Sequence, residues 1–252
     1  TDEAAFVRYM NESLPERPPN LARIVALNKA AAPMTIPDPQ PLNPEDVEHV
    51  LGGGTLALDV RSPGNFATGH IPGAVAISVA GSQFPTRAGM VLPPAAQLVL
   101  IADDTTQAVA SVRVLAVAGF TAIAGYLEGG MSAWQESGRP VELLRAVSVQ
   151  SLREALQDGT SNQVIDVRDH SEWEEGHIAG ARNIPFQAIP EQAATLDRTR
   201  RFYLICGSGE RSTIAASLLQ PRGFTVAGVL GGMDAWNAAG FPNQMGTDVR
   251  RE

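Results

Sequence analysis

The stretch Tyr203-Leu-Ile-Cys206-Gly-Ser-Gly-Glu-Arg211-Ser212-Thr-Ile-Ala-Ala216 combines a short apolar run, the only cysteine of the chain, a small polar loop and an apolar-periodic segment. This order predicts a buried strand, a tight loop and a helix that begins directly after the loop. Backbone N–H groups at such a junction bind anions. A thiol placed there has its thiolate stabilised by the helix dipole and by a neighbouring cation, here Arg211. We therefore predict that Cys206 is a nucleophile that faces an open pocket, with Arg211 as its catalytic partner.

The alternative is a buried structural cysteine, which is the usual environment of a free thiol. The residues after Cys206 argue against it, because they offer little apolar surface and their glycines let the backbone curl around an anion. Arg211 likewise fits no apolar pocket. The predicted anion-binding loop comprises Gly207, Ser208, Gly209, Glu210 and Ser212.

The composition of the 252 residues excludes several classes of protein. A formal net charge of -8 argues against a nucleic-acid partner, which requires a concentrated basic patch. A single cysteine excludes an internal disulfide and fits a reducing compartment. No apolar run is long enough to span a membrane, and no signal-peptide pattern opens the sequence. We expect a cytoplasmic protein without a membrane or nucleic-acid partner.

An internal repeat organises most of the chain. The blocks Leu56–Arg61 and Gly69–Ala74 recur as Gln163–Arg168 and Gly176–Ala181, at an offset of 107 residues (166 − 59 = 107). The later block Gly-Gly-Met-x-Ala-Trp occurs at 129–134 and again at 231–236, at an offset of 102 (231 − 129 = 102). Matched blocks in one order indicate two copies of one domain, with small deletions in the second copy.

The repeat sets the predicted domain boundaries. Residues 1–41 form an N-terminal segment, with helical patterns at Glu3–Met10 and Leu21–Asn28 followed by a proline-rich linker. The first domain spans 42–140, a linker 141–147, the second domain 148–245 and a tail 246–252. Asn43 is predicted to cap a helix that has Pro44 at its first position, and Ser151 with Glu154 is predicted to be a capping box.

Each copy alternates short apolar runs with helical patterns, which predicts an α/β fold with a doubly wound parallel sheet and helices on both faces. In the second copy the predicted strands are Gln163–Val167, Ala181–Ile184, Phe202–Ile205 and Val226–Leu230. Ligands of such sheets bind beyond the carboxyl ends of the strands, which is where Cys206 falls.

Taken together, these blocks resemble the rhodanese (thiosulfate sulfurtransferase) domain family. The matching residues of the second copy are Asp166-Val-Arg168, Glu172, Gly176-His-Ile-x-Gly-Ala181, Cys206-x4-Arg211-Ser212, Gly223-Phe224 and Gly231-Gly-x-x-x-Trp236. The resemblance implies two domains, each with a five-stranded parallel sheet, and an enzyme that carries a sulfane sulfur as a persulfide on the loop cysteine. It also implies a small-molecule donor, thiosulfate or a low-molecular-weight persulfide, and a thiol, sulfite or cyanide acceptor. No cofactor is implied.

A second resemblance concerns residues 14–28, which are similar to the tail of metallo-β-lactamase-fold persulfide dioxygenases that carry fused rhodanese domains. It implies that this chain is the rhodanese portion of such a fusion and that a dioxygenase domain is its partner. The His-x-His-x-Asp-His metal-binding pattern of that fold is absent, and the four histidines of the chain are scattered. We therefore assign no metal.

The first copy lacks the residues that the chemistry requires. Ala102 stands at the position of Cys206, and the following loop begins Asp103-Asp104 and has no arginine at the position of Arg211. Two carboxylates in an anion cradle repel an anionic donor. We predict that the first domain is inert as a sulfurtransferase.

The inert copy also serves as an internal control for the roles of other residues. Because the equivalents of Asp166, Arg168 and His177 persist there without a cysteine, we interpret these three as structural and favour this over a catalytic base or ligand role for His177. The resemblance implies that Asp166 supports the loop, and Arg168 is interpreted as a further supporting residue behind it. Glu172 has Asn65 as its counterpart. It is either a salt-bridge partner in the active copy or a solvated carboxylate. The repeated tryptophans, Trp134 and Trp236, are interpreted as core residues.

Two other functions compete with a sulfurtransferase. One is a sulfur relay or docking module that works only beside a dioxygenase domain. The other is a cysteine phosphatase, whose anion loop has five residues between cysteine and arginine, whereas this loop has four.

Glu210 makes the loop less basic than one built for a dianion, so we favour a persulfide donor over thiosulfate.

Overall fold

The computed structural model describes residues 2–3, 19–29, 36, 38–157 and 163–246, and these residues form two parallel sheets of five strands each. The α/β architecture predicted for both copies is confirmed. Residues 4–10 of the predicted helix at 3–10, Pro33, Pro37 and residues 247–252 of the tail lie outside the described residues. Within the described part of the chain, every helix is too short or too polar to cross a membrane.

The first sheet has the strand order β1-β5-β4-β2-β3, with all neighbours parallel. It is preceded by α1 (Leu21–Lys29), where the sequence predicts a short helix. The elements in chain order are β1 (Pro41–Leu42), α2 (Pro44–Gly52), β2 (Leu56–Asp59), α3 (Pro63–Thr68), β3 (Val75–Ala76), α4 (Phe84–Val91), β4 (Leu98–Ile101), α5 (Thr105–Val117), β5 (Ile123–Leu127) and α6 (Gly130–Glu136).

The second sheet repeats this topology with the order β6-β10-β9-β7-β8. Short 3₁₀ turns at Phe186–Ala188, Ala193–Thr195 and Gln220–Arg222 supplement its helices. The elements in chain order are β6 (Arg145–Val147), α7 (Val149–Gln157), β7 (Gln163–Asp166), α8 (His170–Glu175), β8 (Arg182–Asn183), α9 (Ile189–Gln192), β9 (Arg201–Ile205), α10 (Glu210–Leu219), β10 (Thr225–Val229) and α11 (Gly232–Ala238).

The middle strands of the two sheets, β4 and β9, consist almost entirely of apolar residues because helices cover both faces of each sheet. All four residues of β4 are buried, as are the last four of β9. Continuous apolar runs of this length are typical of parallel strands that are buried on two sides. Trp134 and Trp236 are buried in the core, as predicted, and each indole N–H donates to the carbonyl of a proline six residues later.

The helix starts only partly match the prediction. The Asn43 side chain accepts the N–H of Asp46 and α2 begins at Pro44, so the predicted cap is confirmed. The predicted capping box at Ser151 and Glu154 is wrong, because α7 already begins at Val149. The hydroxyl of Ser148 accepts the N–H of Ser151 and therefore caps this helix instead.

The segment between the domains is structured where the sequence predicts a linker. Arg145–Val147 form β6, which pairs with β10 at the edge of the second sheet. In the same way β1 pairs with β5 and begins at Pro41, one residue before the predicted domain boundary. Each sheet therefore draws its first strand from the stretch that leads into its domain.

The two domains share an extensive interface on one side of α10. A single buried apolar cluster contains residues of both domains, among them Phe84, Ala88, Ile189 and Leu218. The hydroxyl of Ser217 on α10 accepts the N–H of Ala76 on β3 at 3.0 Å. The helix that follows the Cys206 loop is thus covered by the first domain.

Candidate active site

Cys206 follows the last residue of β9, and its side chain is held by the loop that it begins. The N–H of Gly209 donates to Cys206 Sγ at 3.1 Å, and Sγ lies 3.7 Å from Ser212 Oγ, which accepts from the thiol. Gly209 has φ +113, a conformation that favours glycine, and this turn directs its N–H back toward the sulfur. The loop then runs directly into α10, which adds the positive end of its dipole. The predicted strand, loop and helix N-terminus are therefore present.

The thiol is more enclosed than the sequence predicts. Cys206 is only 1% exposed, so the expectation that it faces an open pocket is wrong. Two cavities flank the loop, one of about 110 Å³ lined in part by Ser208, Gly209 and Ser212, and one of about 340 Å³ lined in part by Arg211. Among the described residues, Cys206 lines neither of these two cavities. Gly209, whose N–H donates to the sulfur, lies between the thiol and the smaller cavity's interior as one of that cavity's lining residues.

Arg211 forms an ion pair with Glu172. Its two terminal nitrogens donate to the carboxylate oxygens of Glu172 at 2.5 and 2.8 Å, and Asp169 Oδ2 lies 3.8 Å away. The hydrogen bonds from Arg211 lower the pKa of Glu172, and the same contacts raise the pKa of Arg211 above its usual value. Of the two interpretations of Glu172, the salt bridge is confirmed. This bidentate contact fixes the guanidinium beside the loop.

Asp166 and Arg168 form a buried ion pair behind this contact. The Arg168 guanidinium donates to both carboxylate oxygens of Asp166, at 2.6 Å in the shortest contact, and to the carbonyl of Gly176 at 2.7 Å. Asn183 donates to the carbonyls of Asp166 and Arg168, at 3.0 and 2.9 Å. These bonds fix the turn between β7 and α8, and α8 carries Glu172.

The same pair occurs in the copy without a cysteine. Arg61 donates to Asp59 at 2.6 Å and to the carbonyl of Gly69 at 2.8 Å. His177 and His70 also match, because each imidazole Nδ1 bonds the carbonyl four residues earlier and each ring stacks on the aromatic side chain of that residue. These contacts are the same in the copy with the cysteine and in the copy without it, so they do not depend on Cys206, and the structural interpretation of His177 stays a prediction.

The paired glycines before α11 support the loop, a role that the sequence analysis missed. The N–H groups of Met233 and Asp234 donate to the carbonyls of Cys206 and Gly207 at 2.7 and 3.1 Å. Gly232 has φ +55, and a Cβ there would lie 2.2 Å from both of these carbonyl oxygens. The repeated Gly-Gly motif was the available signal, since only glycine permits this approach.

The equivalent loop of the first domain is occupied by its own side chains. The side-chain amide oxygen Oε1 of Gln107 accepts the N–H of Asp103 at 2.8 Å, and the Asp104 carboxylate caps α5 by accepting the N–H of Gln107. Asn65, the counterpart of Glu172, donates to Asp103 Oδ1 at 2.9 Å. Ala102 is buried at the position that corresponds to Cys206. The side chain of Gln107 thus occupies one N–H group of this loop, that of Asp103.

A residue of the first domain also contacts the Cys206 loop. Arg87 on α4 forms an ion pair with Glu210, the last residue of the loop and the first of α10. The two residues are 123 positions apart in the chain. No sequence pattern indicates this contact, which depends on how the domains pack.

The donors of the site are backbone amides, hydroxyls and guanidinium groups. Across residues 38–157 and 163–246, together with the other described positions, no group of three or more His, Cys, Asp or Glu side chains is placed to bind a metal ion. The chemistry that this arrangement supports is the stabilisation of a sulfur anion by N–H groups.

Comparison with known proteins supports the division into two domains. The sequence model of the rhodanese-like domain matches residues 43–137 and 148–239. The chain is 35% identical over 99 residues to the putative sulfurtransferase YtwF of Bacillus subtilis, covering 39% of this chain and 96% of that protein. It is 30% identical over 103 residues to the putative sulfur carrier protein YrkF of the same organism, covering 40% of this chain and 56% of that protein. A rhodanese-related protein from Thermoplasma volcanium is a structural match with 31% identity and a TM-score of 0.38, covering 40% of this chain and 98% of that one.

Proposed function

Because this chain belongs to the rhodanese-like domain family, we propose that its second domain is a sulfurtransferase that carries a sulfane sulfur as a persulfide on Cys206. The observation that carries the proposal is the hydrogen bond from the Gly209 N–H to Cys206 Sγ at 3.1 Å, at the N-terminus of a ten-residue helix. Amides directed at this position stabilise a thiolate before transfer and a persulfide anion after it. The name of one relative, a putative sulfurtransferase, agrees with this chemistry.

The reaction has two steps that balance without an external oxidant. The Cys206 thiolate attacks the outer sulfur of the donor, a new S–S bond forms, and the donor's own S–S bond breaks. The donor leaves as a thiolate, or as sulfite when the donor is thiosulfate. An acceptor thiolate, sulfite or cyanide then attacks the terminal sulfur of the Cys206 persulfide and restores the thiolate.

The remaining site residues position the loop in this proposal. Arg211 contributes a positive charge beside the sulfur while Glu172 holds its guanidinium in place. Asp166 and Arg168 brace the segment that carries Glu172. Arg211→Lys keeps the charge and removes the bidentate contact, so it separates charge from orientation.

A persulfide is the favoured donor. Among the described residues that surround the loop, the carboxylates of Glu210, Glu172 and Asp169 face the guanidinium groups of Arg87 and Arg211. A site with more carboxylates than cations disfavours the thiosulfate dianion relative to a less charged persulfide. Comparing kcat/KM for thiosulfate and for cysteine persulfide tests this preference, and a large preference for thiosulfate contradicts it.

Intact-mass measurement tests the chemistry. Incubation with either donor is expected to add one sulfur atom, about 32 Da, to the wild-type chain and none to Cys206→Ala, the matched control lacking only the thiol. Turnover is then measured as thiocyanate formed from donor and cyanide. A folded wild-type chain that gains no sulfur from either donor refutes the proposal.

The second candidate is a sulfur relay or docking module for a fused or partner persulfide dioxygenase. A thiol in a residue that is 1% exposed would hold its persulfide away from water, as a relay requires. The name of a second relative, a putative sulfur carrier protein, points in the same direction. A Cys206 persulfide that forms and is not turned over by thiols, sulfite or cyanide supports the relay over the enzyme.

A further inference from the structure

Helix α4 of the cysteine-free domain lies beside the loop of the other domain. Its Arg87 forms an ion pair with Glu210, and the side chains are only 16% and 32% exposed. The two domains also meet where Ser217, on the helix that Glu210 begins, accepts the N–H of Ala76 on β3. The ion pair therefore belongs to a packed interface in which its arginine is largely withdrawn from solvent.

Glu210 needs a cation close to it. The residue stands immediately before Arg211 in the loop whose amides stabilise a sulfur anion. An unpaired carboxylate there opposes formation of the thiolate and of the persulfide. Arg211 is already held by both oxygens of Glu172 and lies near Asp169. Arg87 is thus the guanidinium that faces Glu210.

The cavity beside this ion pair is built by both domains. Its volume is about 340 Å³, and both Arg87 and Arg211 line it. Gln83, which precedes α4, and Thr86 and Met90 of α4 complete the wall from the first domain, and Asp169 and Phe186 complete it from the second. A second domain without its neighbour would have an open groove and an unpaired carboxylate at this place.

We propose that Arg87 is a positioning residue for Cys206, supplied by the domain that has no nucleophile of its own. Its charge neutralises Glu210 and fixes the first turn of α10, so that the Gly209 N–H stays directed at the sulfur. The first domain is therefore part of the active site of the second. This inference rests on the proposed function in that Cys206 is the reactive thiol.

Alkylation of Cys206 by iodoacetamide, followed from pH 5 to 10 in the full chain, tests the inference. Arg87→Gln is expected to move the midpoint of the pH–rate profile upward and to slow alkylation at pH 7 by about three- to tenfold, because Glu210 becomes unpaired. Arg87→Lys retains the charge and is expected to stay within about twofold of wild type. The double variant Arg87→Gln with Glu210→Gln is expected to return to the wild-type midpoint, since it removes both charges.

Arg139→Gln is the matched control. Arg139 is 18% exposed and pairs with Glu48 at 2.9 Å within the first domain, as Arg87 pairs with Glu210 across the interface. It is expected to leave the profile unchanged, and circular dichroism establishes that each variant is folded. The inference is overturned if Arg87→Gln matches wild type, or if the double variant is as slow as Arg87→Gln, which would indicate packing rather than charge. Alkylation uses no sulfur donor, so a wild-type chain that fails to transfer sulfur refutes the proposed function and leaves this result standing.

Discussion

Replacing Gly232 with alanine is expected to disable the site by pushing on the loop from behind. The residue has φ +55, and its Cβ would lie 2.2 Å from the carbonyl oxygens of Cys206 and Gly207. A left-handed alanine costs roughly 1–2 kcal/mol, and overpacking adds roughly 1–3 kcal/mol. The expected loss of about 2–5 kcal/mol is a large part of the 5–15 kcal/mol that typically stabilises a domain.

The effect on activity should be larger than the loss of stability suggests. Relief of the contact must displace the Cys206 and Gly207 carbonyls, which accept the N–H groups of Met233 and Asp234. A displacement of about 1 Å at a reacting group costs on the order of 100-fold in rate. We expect Gly232→Ala to lose about that factor in kcat for thiocyanate formation, measured under conditions where the variant is folded.

Two glycines provide matched controls. Gly180 has φ +76 and an open space where its Cβ would lie, so Gly180→Ala carries the backbone strain alone. Gly130 has φ +59 and its Cβ would lie 2.9 Å from the carbonyl of Ala102, so Gly130→Ala presses on the inert loop instead. Urea unfolding should show losses in both, while kcat stays within about threefold of wild type. A folded Gly232→Ala with wild-type kcat, or an equal loss of kcat in Gly180→Ala, would refute the reasoning.

Three further outcomes are expected. Glu172→Gln should lower kcat about tenfold because it releases Arg211. Since Arg211 lowers the pKa of Glu172, wild type should be more stable than this variant above pH 4.5, and this advantage should disappear as the pH falls through the lower pKa of the folded state. A difference in urea midpoint that is constant with pH would contradict this prediction. Burial lowers the pKa of His70 below 6.5, so wild type should lose stability as the pH falls below that value. His70→Asn should reduce this dependence of the urea midpoint on pH. An unchanged dependence in the variant would count against the interpretation. Introducing Ala102→Cys into Cys206→Ala should give no persulfide by intact mass, because the first loop is occupied by its own glutamine and carboxylates; an added sulfur would show that the cysteine alone was missing.

The repeat made the architecture predictable from the sequence. Because each half carries the same blocks in the same order, the strands, the loop position of Cys206 and its replacement by Ala102 in the first half could all be predicted from the sequence. Arg211 was predictable because it lies in the same loop motif as Cys206. The salt bridge of Glu172 with Arg211 was only one of two interpretations, since the sequence does not distinguish a paired carboxylate from a solvated one.

Other features depend on geometry that the sequence does not encode locally. The burial of Cys206 follows from the turn at Gly209, whose φ value no pattern specifies. Arg87 and Glu210 meet only because two domains pack together, so no periodicity relates them. Ser148 and Ser151 are equally good caps by residue type, and the choice between them depends on where β6 ends.

The hydroxyl of Ser217 joins an edge strand of one sheet to the helix that supports the other sheet's reactive loop, and the apolar cluster around it is common to both halves. Separating the two domains would remove the hydrogen bond of the Ala76 N–H and expose that apolar cluster to water at the same time. The chain should consequently melt as a single cooperative unit, with one calorimetric peak whose van't Hoff and measured enthalpies agree. The half without a cysteine would then persist because the other half cannot remain folded without it.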